Sequence, residues 1–196
     1  MSFKLVSDAD LKTYMDISET TWDTMLGDIS EQVAQEFEGF LHRKLENTGS
    51  DVVEYRSPTG TESIVWVSRY PIVSITTIHE DLQRSYSSDS VVDSSDYFSH
   101  DDEGLIELES RCWYGGNRVV KITYKGGYTK TSEVLVGLPD AITLAAKMQI
   151  AHNFNRRQSP GASTVNFGGG GSQSYTELGM LQTVKDKLQP YQRRRT

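Results

Sequence analysis

Residues 119–145 constrain the fold more than any other part of the sequence, because a strand there leads directly into a helix. Val120, Ile122 and Tyr124 alternate with other residues, which is the spacing of a half-buried β-strand. A Gly-Gly pair follows and permits the backbone angles of a turn. Leu-Pro-Asp then opens a helix, since proline suits the first helical turn and Asp140 complements the positive end of the helix dipole. The stretch predicts a chain that combines a β-region with a helical region.

Four segments have apolar residues at helical spacing. The first is short and is predicted to start after Ser7, a residue type that favours the N-cap position. The second is the longest, carries a continuous apolar stripe, and is predicted to start from a cap at Ser18 or Thr20. The predicted helices cover residues 8–15, about 20–45, 139–157 and 175–188.

Between residues 47 and 127 the hydrophobic period changes to two, which indicates strands. About six mainly antiparallel strands are predicted there, and the Ser- and Asp-rich residues 81–99 are assigned short strands and turns. The fold class is therefore α+β, a helical bundle with an inserted, mainly antiparallel β-domain. The bundle comprises residues 1–47 and 139–192, and the β-domain comprises residues 48–138.

Two segments towards the C-terminus have the composition of loops. Residues 158–174 are rich in glycine and serine and are predicted to form a flexible loop or an exposed arm. Residues 190–196 form a basic tail that contains three consecutive arginines. This tail could dock on an acidic protein groove, stay disordered, or contact nucleic acid phosphates.

Charge is distributed unevenly along the chain. Residues 71–110 carry ten acidic side chains against one basic, whereas residues 156–196 carry seven basic against two acidic. One interpretation is a solvated acidic loop with a frayed basic tail. The others are a subunit whose two ends meet different surfaces, or an assembly whose wall repels a polyanion.

Residue types that carry chemistry are present but do not form recognisable motifs. The glycines at 168–171 lack the Gly-Lys-Ser/Thr ending of a phosphate-binding loop. The acidic residues 93–103 do not have the spacing of an EF-hand loop. The four histidines are scattered, and Cys112 has no neighbouring histidine. We therefore predict no catalytic residue, no metal site and no cofactor, and we do not expect an enzyme.

The sequence shows no pattern typical of a membrane span or a signal peptide. There is no apolar run of roughly 18 residues that could span a membrane. The N-terminal residues lack the layout of a signal peptide. A single cysteine excludes an intramolecular disulfide and fits a reducing compartment. We expect a soluble protein made in a cytoplasm.

Several of these features occur in an order that resembles a known family. They are LKTYMDIS before the long helix, RYPIVSI in the β-region, KITYKGGY at the end of that region, and LPDA at the next helix start. This sequence of features is similar to the head–tail connector (adaptor) proteins of tailed bacteriophages and covers roughly residues 5–157.

The resemblance implies a structural virion protein in the neck, made in the host cytoplasm. It implies a homo-oligomeric ring, commonly of twelve subunits, that binds the portal protein and a downstream neck or tail-completion protein. Double-stranded DNA would pass through the ring without sequence-specific contacts, and acids of the long helix or the β-domain are expected to face the channel. The resemblance adds no catalytic residue.

Candidate contact residues follow from this implied ring. The basic tail is predicted to reach the portal protein through Tyr191, Arg193, Arg194 and Arg195. The loop or arm is predicted to contact a neighbouring subunit through Val165, Asn166 and Phe167.

Two other functions remain open from the sequence. One is another neck or tail-terminator ring protein, which would be built on a dominant β-barrel. The other is a β-domain that binds a small ligand or carbohydrate, suggested by Trp66, Trp113 and the many tyrosines, although such aromatic residues more often lie in cores and interfaces.

Overall fold

The computed structural model describes residues 3–158, 164–166, 172–174 and 179–193. Within these ranges four α-helices and ten β-strands occur, which confirms the predicted α+β class. The chain divides into two compact units, one of Met1–His42 with Lys130–Thr196 and one of Arg43–Thr129. Residues 130–138, which the sequence analysis placed in the β-domain, are grouped with the helical unit because Lys4 pairs with Val134 in a short bridge.

Helices of the first unit bury apolar side chains. Helix α1 is Asp8–Met15, α2 is Asp23–Leu41, α3 is Asp140–Asn155 and α4 is Gln182–Leu188. Buried aliphatic and aromatic side chains meet at their contacts, each at most 4% exposed. They include Leu11, Leu26, Val33, Phe37, Leu41, Ile142, Ala146, Ile150, Phe154, Val184 and Leu188.

Helix α1 confirms its predicted start, because the Ser7 hydroxyl accepts the N–H of Asp10 at 3.1 Å. The predicted cap of α2 at Ser18 or Thr20 is wrong. A turn closed by the Asp23 N–H and the Thr20 carbonyl, at 3.1 Å, delays the helix until Asp23.

Helix α2 also ends earlier than the apolar stripe predicts. His42 takes a left-handed conformation with φ of 54° and ends the helix after Leu41. Leu45 lies beyond that end, and its carbonyl instead accepts the Tyr128 N–H at 2.7 Å. Pairing with a distant strand end outweighs the local helical pattern at this point.

The last helix is shorter than predicted. Residues 175–178 lie outside the described part of the chain, and residues 179–181 are not helical. The buried side chain of Gln149 accounts for this start, because its Oε1 accepts the Leu181 N–H at 3.0 Å. Helix α4 begins at the next residue, Gln182.

Short strands complete the helical unit. Strands β7 (Lys130–Thr131) and β8 (Val134–Leu135) form a hairpin, and β9 (Thr164–Asn166) pairs antiparallel with β10 (Ser172–Ser174).

Two antiparallel three-stranded sheets form the second unit. Strands β1 (Val52–Arg56), β6 (Val120–Gly126) and β3 (Ile72–Glu80) make the first sheet, with β6 in the centre. Strands β2 (Ile64–Trp66), β5 (Leu105–Leu108) and β4 (Tyr97–His100) make the second, with β5 in the centre. Side chains of both sheets share one core, which includes Val65, Ile78, Ile106, Leu108, Trp113, Val120, Ile122 and Tyr124.

Short strands were predicted within residues 81–99, but residues 81–96 form none; only the end of the range belongs to a strand, β4. This stretch contains the 3₁₀ turns Ser88–Ser90 and Ser94–Asp96, and its backbone pairs with β3 only at an isolated bridge between Val91 and His79. The serines and aspartates there bond to nearby backbone groups in turns, which competes with strand pairing.

Among the described residues, no helix combines the length and apolar character needed to cross a membrane.

Candidate functional site

The outer face of the first sheet carries a cluster of aromatic and basic side chains. Alternation along β6 buries Ile122 and turns Lys121 outward. Tyr55 of β1 and His79 of β3 are the register partners of Lys121 on its two sides. These three side chains therefore form one row across the sheet. We call this row, with Tyr86 and Arg118, the sheet-face patch.

Tyr86 reaches the patch from the loop after β3, and Asp81 holds that loop in place. Its carboxylate accepts the N–H groups of Gln83 at 2.7 Å, Ser85 at 2.8 Å and Tyr86 at 2.7 Å, and the Ser85 hydroxyl at 2.7 Å. These donors, led by the Ser85 hydroxyl, outweigh desolvation and lower the pKa of Asp81 to about 2. The charged carboxylate thus positions an aromatic ring over the sheet.

Rings and cations of the patch contact one another. The centroids of Tyr55 and Tyr86 are 5.6 Å apart, and those of His79 and Tyr86 are 6.3 Å apart. The Arg118 guanidinium lies 4.0 Å from the centre of the Tyr55 ring, and the Lys121 ammonium lies 5.3 Å from that of Tyr86. The Tyr86 hydroxyl donates to the Arg118 carbonyl. Ring faces stabilise the cations here without neutralising them.

The positive charge on this face has no carboxylate partner among the described residues. Within the described ranges, Arg118, Lys121 and Lys125 form no salt bridge. The carboxylates of residues 89–103, which we call the acidic segment, likewise pair with no cation among the described residues. They belong to Asp89, Asp93, Asp96, Asp101, Asp102 and Glu103. The β-unit therefore presents both a basic surface and an acidic one.

Behind the patch, a buried polar group joins β1 to β6. Glu54 accepts the Tyr124 hydroxyl at 2.6 Å and the Ser68 N–H at 3.1 Å, and it also contacts the Ser68 hydroxyl and the Arg56 guanidinium. Burial by itself raises the pKa of Glu54, but these hydrogen bonds and the Arg56 charge together lower it. Burial and the Glu54 charge raise the pKa of Tyr124. The carboxylate stays charged and the phenol stays protonated, so both groups serve as fixed hydrogen-bond partners.

The tail predicted to contact the portal is bonded, at its start, to the C-terminal end of α2. The Arg193 N–H bonds the Leu41 carbonyl at 2.9 Å, and the Gln192 side chain bonds the Phe40 carbonyl at 3.0 Å. These bonds satisfy carbonyls that a helix end otherwise leaves without partners. Tyr191, also in the predicted set, is partly buried in a 3₁₀ turn. Arg194 and Arg195 lie outside the described residues.

Residues predicted to form the inter-subunit arm lie partly in a strand pair. Val165 and Asn166 belong to β9, whose register partners are Gln173 and Ser172 of β10. Phe167 lies outside the described residues.

Sequence reasoning missed the sheet-face patch. The strand alternation contained a signal for Tyr55 and Lys121, since both occupy the opposite phase from the buried residues. No pattern placed Tyr86 beside them, because its position depends on the loop held by Asp81. Trp113, in contrast, lies in the core at 1% exposure, as its residue type predicts.

Candidate metal ligands do not converge. No group of three or more His, Cys, Asp or Glu side chains has a metal-binding arrangement within the described residues.

Comparison with known protein families gives one match. A family described as "HCP: Head completion protein" matches residues 4–194. The sequence matches no curated protein.

Solved structures share the fold at low sequence identity. A chain from the "Neck of empty GTA particle computed with C6 symmetry" has a TM-score of 0.57 and 13% identity, covering 100% of this chain and 97% of its own. A chain from the "Neck of native GTA particle computed with C12 symmetry" has a TM-score of 0.54 and 12% identity, with the same coverage. A third chain, from the virion of the native gene transfer agent (GTA) particle, has a TM-score of 0.54 and 13% identity, covering 97% of this chain and 91% of its own.

Proposed function

The chain belongs to the head completion protein family, and on that premise we propose that it is a structural virion protein that forms an adaptor ring between the portal and the neck or tail. The family match confirms the resemblance to head–tail connector proteins that the order of sequence features indicated. In this role the protein extends the DNA channel through which the genome is retained and ejected.

The family match over residues 4–194 is the observation that carries this proposal, and whole-chain similarity to a neck component supports it. The neck chain matches this protein over 100% of one chain and 97% of the other. Both units of the protein are therefore included in the shared fold, which supports a function of the entire chain in a neck. Low identity limits that similarity to the fold, so the role itself rests on the family.

We propose a ring of twelve copies. A related fold occurs in a neck described with C12 symmetry. A closed ring of more than two subunits uses heterologous contacts, in which one surface of a subunit meets a different surface of the next. Duplex DNA would pass along the axis, where exposed acids such as Asp28 and Glu36 of α2 would repel its phosphates.

The basic tail is proposed to bind the portal protein. The first part of the tail is fixed on the helical unit, since the Arg193 N–H is bonded to the Leu41 carbonyl at the end of α2. Side chains of Tyr191, Arg193, Arg194 and Arg195 would then contact acidic groups on the portal.

This tail can be tested without disturbing its anchor. Changing Arg193, Arg194 and Arg195 together to Ala keeps the backbone bond from residue 193 to Leu41. Gln192→Ala removes a side-chain bond to Phe40 without changing charge and serves as the control. We expect the triple variant to lose binding to purified portal protein and the control to retain it. Equal binding by wild type and the triple variant would contradict this role of the tail.

The arm is proposed to contact the neighbouring subunit through Val165, Asn166 and Phe167. Replacing the three residues with serine should weaken assembly on the portal while leaving the monomer's thermal unfolding unchanged. A variant that assembles like wild type would remove these residues from the interface.

Electron microscopy of particles labelled on this protein tests the function as a whole. Label in a ring at the neck, adjoining the portal, is the expected result. Mature particles that lack the polypeptide would contradict the proposal. A carbohydrate-binding β-domain is less well supported, because Trp113 is buried in the core and cannot offer its ring to a sugar.

A further inference from the structure

We propose that the sheet-face patch of one copy binds the acidic segment of the next copy in the ring. The inference rests on the proposed ring and names the two surfaces that join its subunits. Both belong to the unit Arg43–Thr129.

Basic groups of the patch are suited to carboxylates. The Arg118 guanidinium packs against the Tyr55 ring at 4.0 Å, an arrangement that leaves its N–H edges available. The Lys121 ammonium sits beside Tyr86 at 5.3 Å. Neither cation has a carboxylate partner in the described part of the chain. Stacking on rings also restricts both side chains before any partner arrives, which lowers the entropy cost of binding.

Turns hold the acidic segment in shape. The Asp93 carboxylate accepts the N–H and the hydroxyl of Ser95, each at 2.9 Å, and these bonds lower its pKa. The Ser99 hydroxyl donates to Asp101. The segment thus carries most of its charge on hydrogen-bonded turns that precede and follow β4, whereas the basic patch lies on the first sheet.

Each surface also has an exposed apolar residue. Val53 lies on the outer face of the first sheet and is 48% exposed, and Phe98 of β4 is 55% exposed. Val53 is the register partner of Thr123, next to the row that contains Lys121. An apolar centre bordered by charge pairs is the usual anatomy of a specific protein interface.

Ring closure requires a pair of different, complementary surfaces on every subunit. The sheet-face patch and the acidic segment meet that requirement, because they have opposite charge and form no salt bridge with each other among the described residues.

Duplex DNA is the competing partner, since cations and rings also bind phosphates and bases. The distribution of charge favours a protein partner. Residues 71–110 of the same unit carry ten acidic side chains against one basic, which would oppose the approach of a polyanion.

Two charge reversals test the pairing, measured by sedimentation velocity of the purified chain at low and high salt. The patch variant is Arg118→Glu with Lys121→Glu, and the segment variant is Asp101→Lys with Asp102→Lys. We expect wild type to self-associate at low salt, and each variant alone to do so at least about tenfold more weakly, because like charges then face each other.

An equimolar mixture of the two variants gives the decisive result. In a heterologous contact, the reversed patch of one variant meets the reversed segment of the other, and their unchanged surfaces also match. We expect the dissociation constant of the mixture to return to within about threefold of the wild-type value. Lys147→Glu with Lys187→Glu makes the same change in charge on the helical unit and should leave association unchanged.

A second patch variant guards against misfolding. Thr123→Glu introduces negative charge on the outer face while keeping the contacts of Arg118 and Lys121 with their rings. It should weaken self-association and leave thermal unfolding close to that of wild type.

Three outcomes would overturn the inference. These are a wild-type chain that stays monomeric at every concentration and salt, variants that associate as wild type does, and a mixture that fails to recover. Loss of duplex DNA binding by the patch variant with unchanged self-association would assign the patch to nucleic acid instead. None of these results bears on the proposed neck function, which fails only if labelled particles lack the protein at the neck.

Discussion

The hydroxyl of Tyr124 donates a 2.6 Å hydrogen bond to Oε1 of Glu54, so a buried polar contact joins the central strand β6 to the edge strand β1. The same phenol oxygen accepts the Arg69 N–H at 3.0 Å. One side chain therefore ties a loop and two strands together inside the β-unit.

Tyr124→Phe is expected to lower the free energy of unfolding by about 1–3 kcal/mol, because Glu54 loses a donor and the Arg69 N–H loses its acceptor. Urea unfolding of the two proteins measures the difference. Tyr114→Phe is the control, since Tyr114 is 51% exposed and its hydroxyl has no buried role. Equal losses from the two substitutions would show that the buried bonds do not stabilise the fold.

Acid should destabilise the β-unit partly through Glu54. Its folded pKa lies below its ordinary value, so the carboxylate contributes stability above the unfolded pKa and loses it as pH falls through the folded value. Thermal unfolding followed from about pH 6 down to about pH 3 spans the unfolded glutamate pKa near 4.3. Glu54→Gln should be less stable than wild type at the upper end, and the gap should narrow towards the lower end. A constant gap would contradict this contribution.

Gly126 is expected to tolerate no side chain. A Cβ there would lie 2.3 Å from the Arg69 carbonyl oxygen, which belongs to the backbone and cannot rotate away. Gly126→Ala should therefore lower the free energy of unfolding by about 1–3 kcal/mol, measured by urea unfolding. Gly39→Ala is the matched change, because nothing lies within 4 Å of its Cβ and alanine favours the helix by up to about 1 kcal/mol. Similar effects at both positions would refute the steric argument.

Asp81→Ala should release the loop that carries Tyr86 without unfolding the sheet. Hydrogen exchange should then accelerate at the amides of Gln83, Ser85 and Tyr86, which donate to the carboxylate. Asp89→Ala is the control within the same loop, since Asp89 receives only a 3.4 Å bond from Ser88.

The same loop should respond to strong acid. The pKa of Asp81 is lowered to about 2, so the anchor is complete above the ordinary aspartate range and is lost as pH falls through about 2. Amide protection that disappeared already near pH 4, the ordinary range of an aspartate, would contradict this ordering.

Local spacing was enough to predict the elements whose signals lie within a few residues. The Ser7 hydroxyl caps α1 by accepting the Asp10 N–H. Pro139 and Asp140 begin α3. Strand β6 follows the alternation of Val120, Ile122 and Tyr124. The order of such elements also sufficed to indicate the family, because core and turn residues recur in the same succession.

Long-range contacts determine where helix α2 ends and where helix α4 begins. The apolar stripe of α2 runs past Leu41, yet His42 ends the helix there, and the Leu41 carbonyl, which a longer helix would pair with the Leu45 N–H, accepts the Arg193 N–H instead. Helix α4 starts where the buried Gln149 accepts an N–H from Leu181. Such partners are many residues away, and no local pattern identifies them.

The sheet-face patch shows the same division. Alternation predicts that Tyr55 and Lys121 avoid the core, but strand register brings them side by side with His79. Tyr86 joins them through a loop that Asp81 folds. Periodicity in a sequence reports which side chains avoid water, a local property of the chain. Which exposed side chains meet depends on pairings between distant segments, and these exist only once the chain has folded.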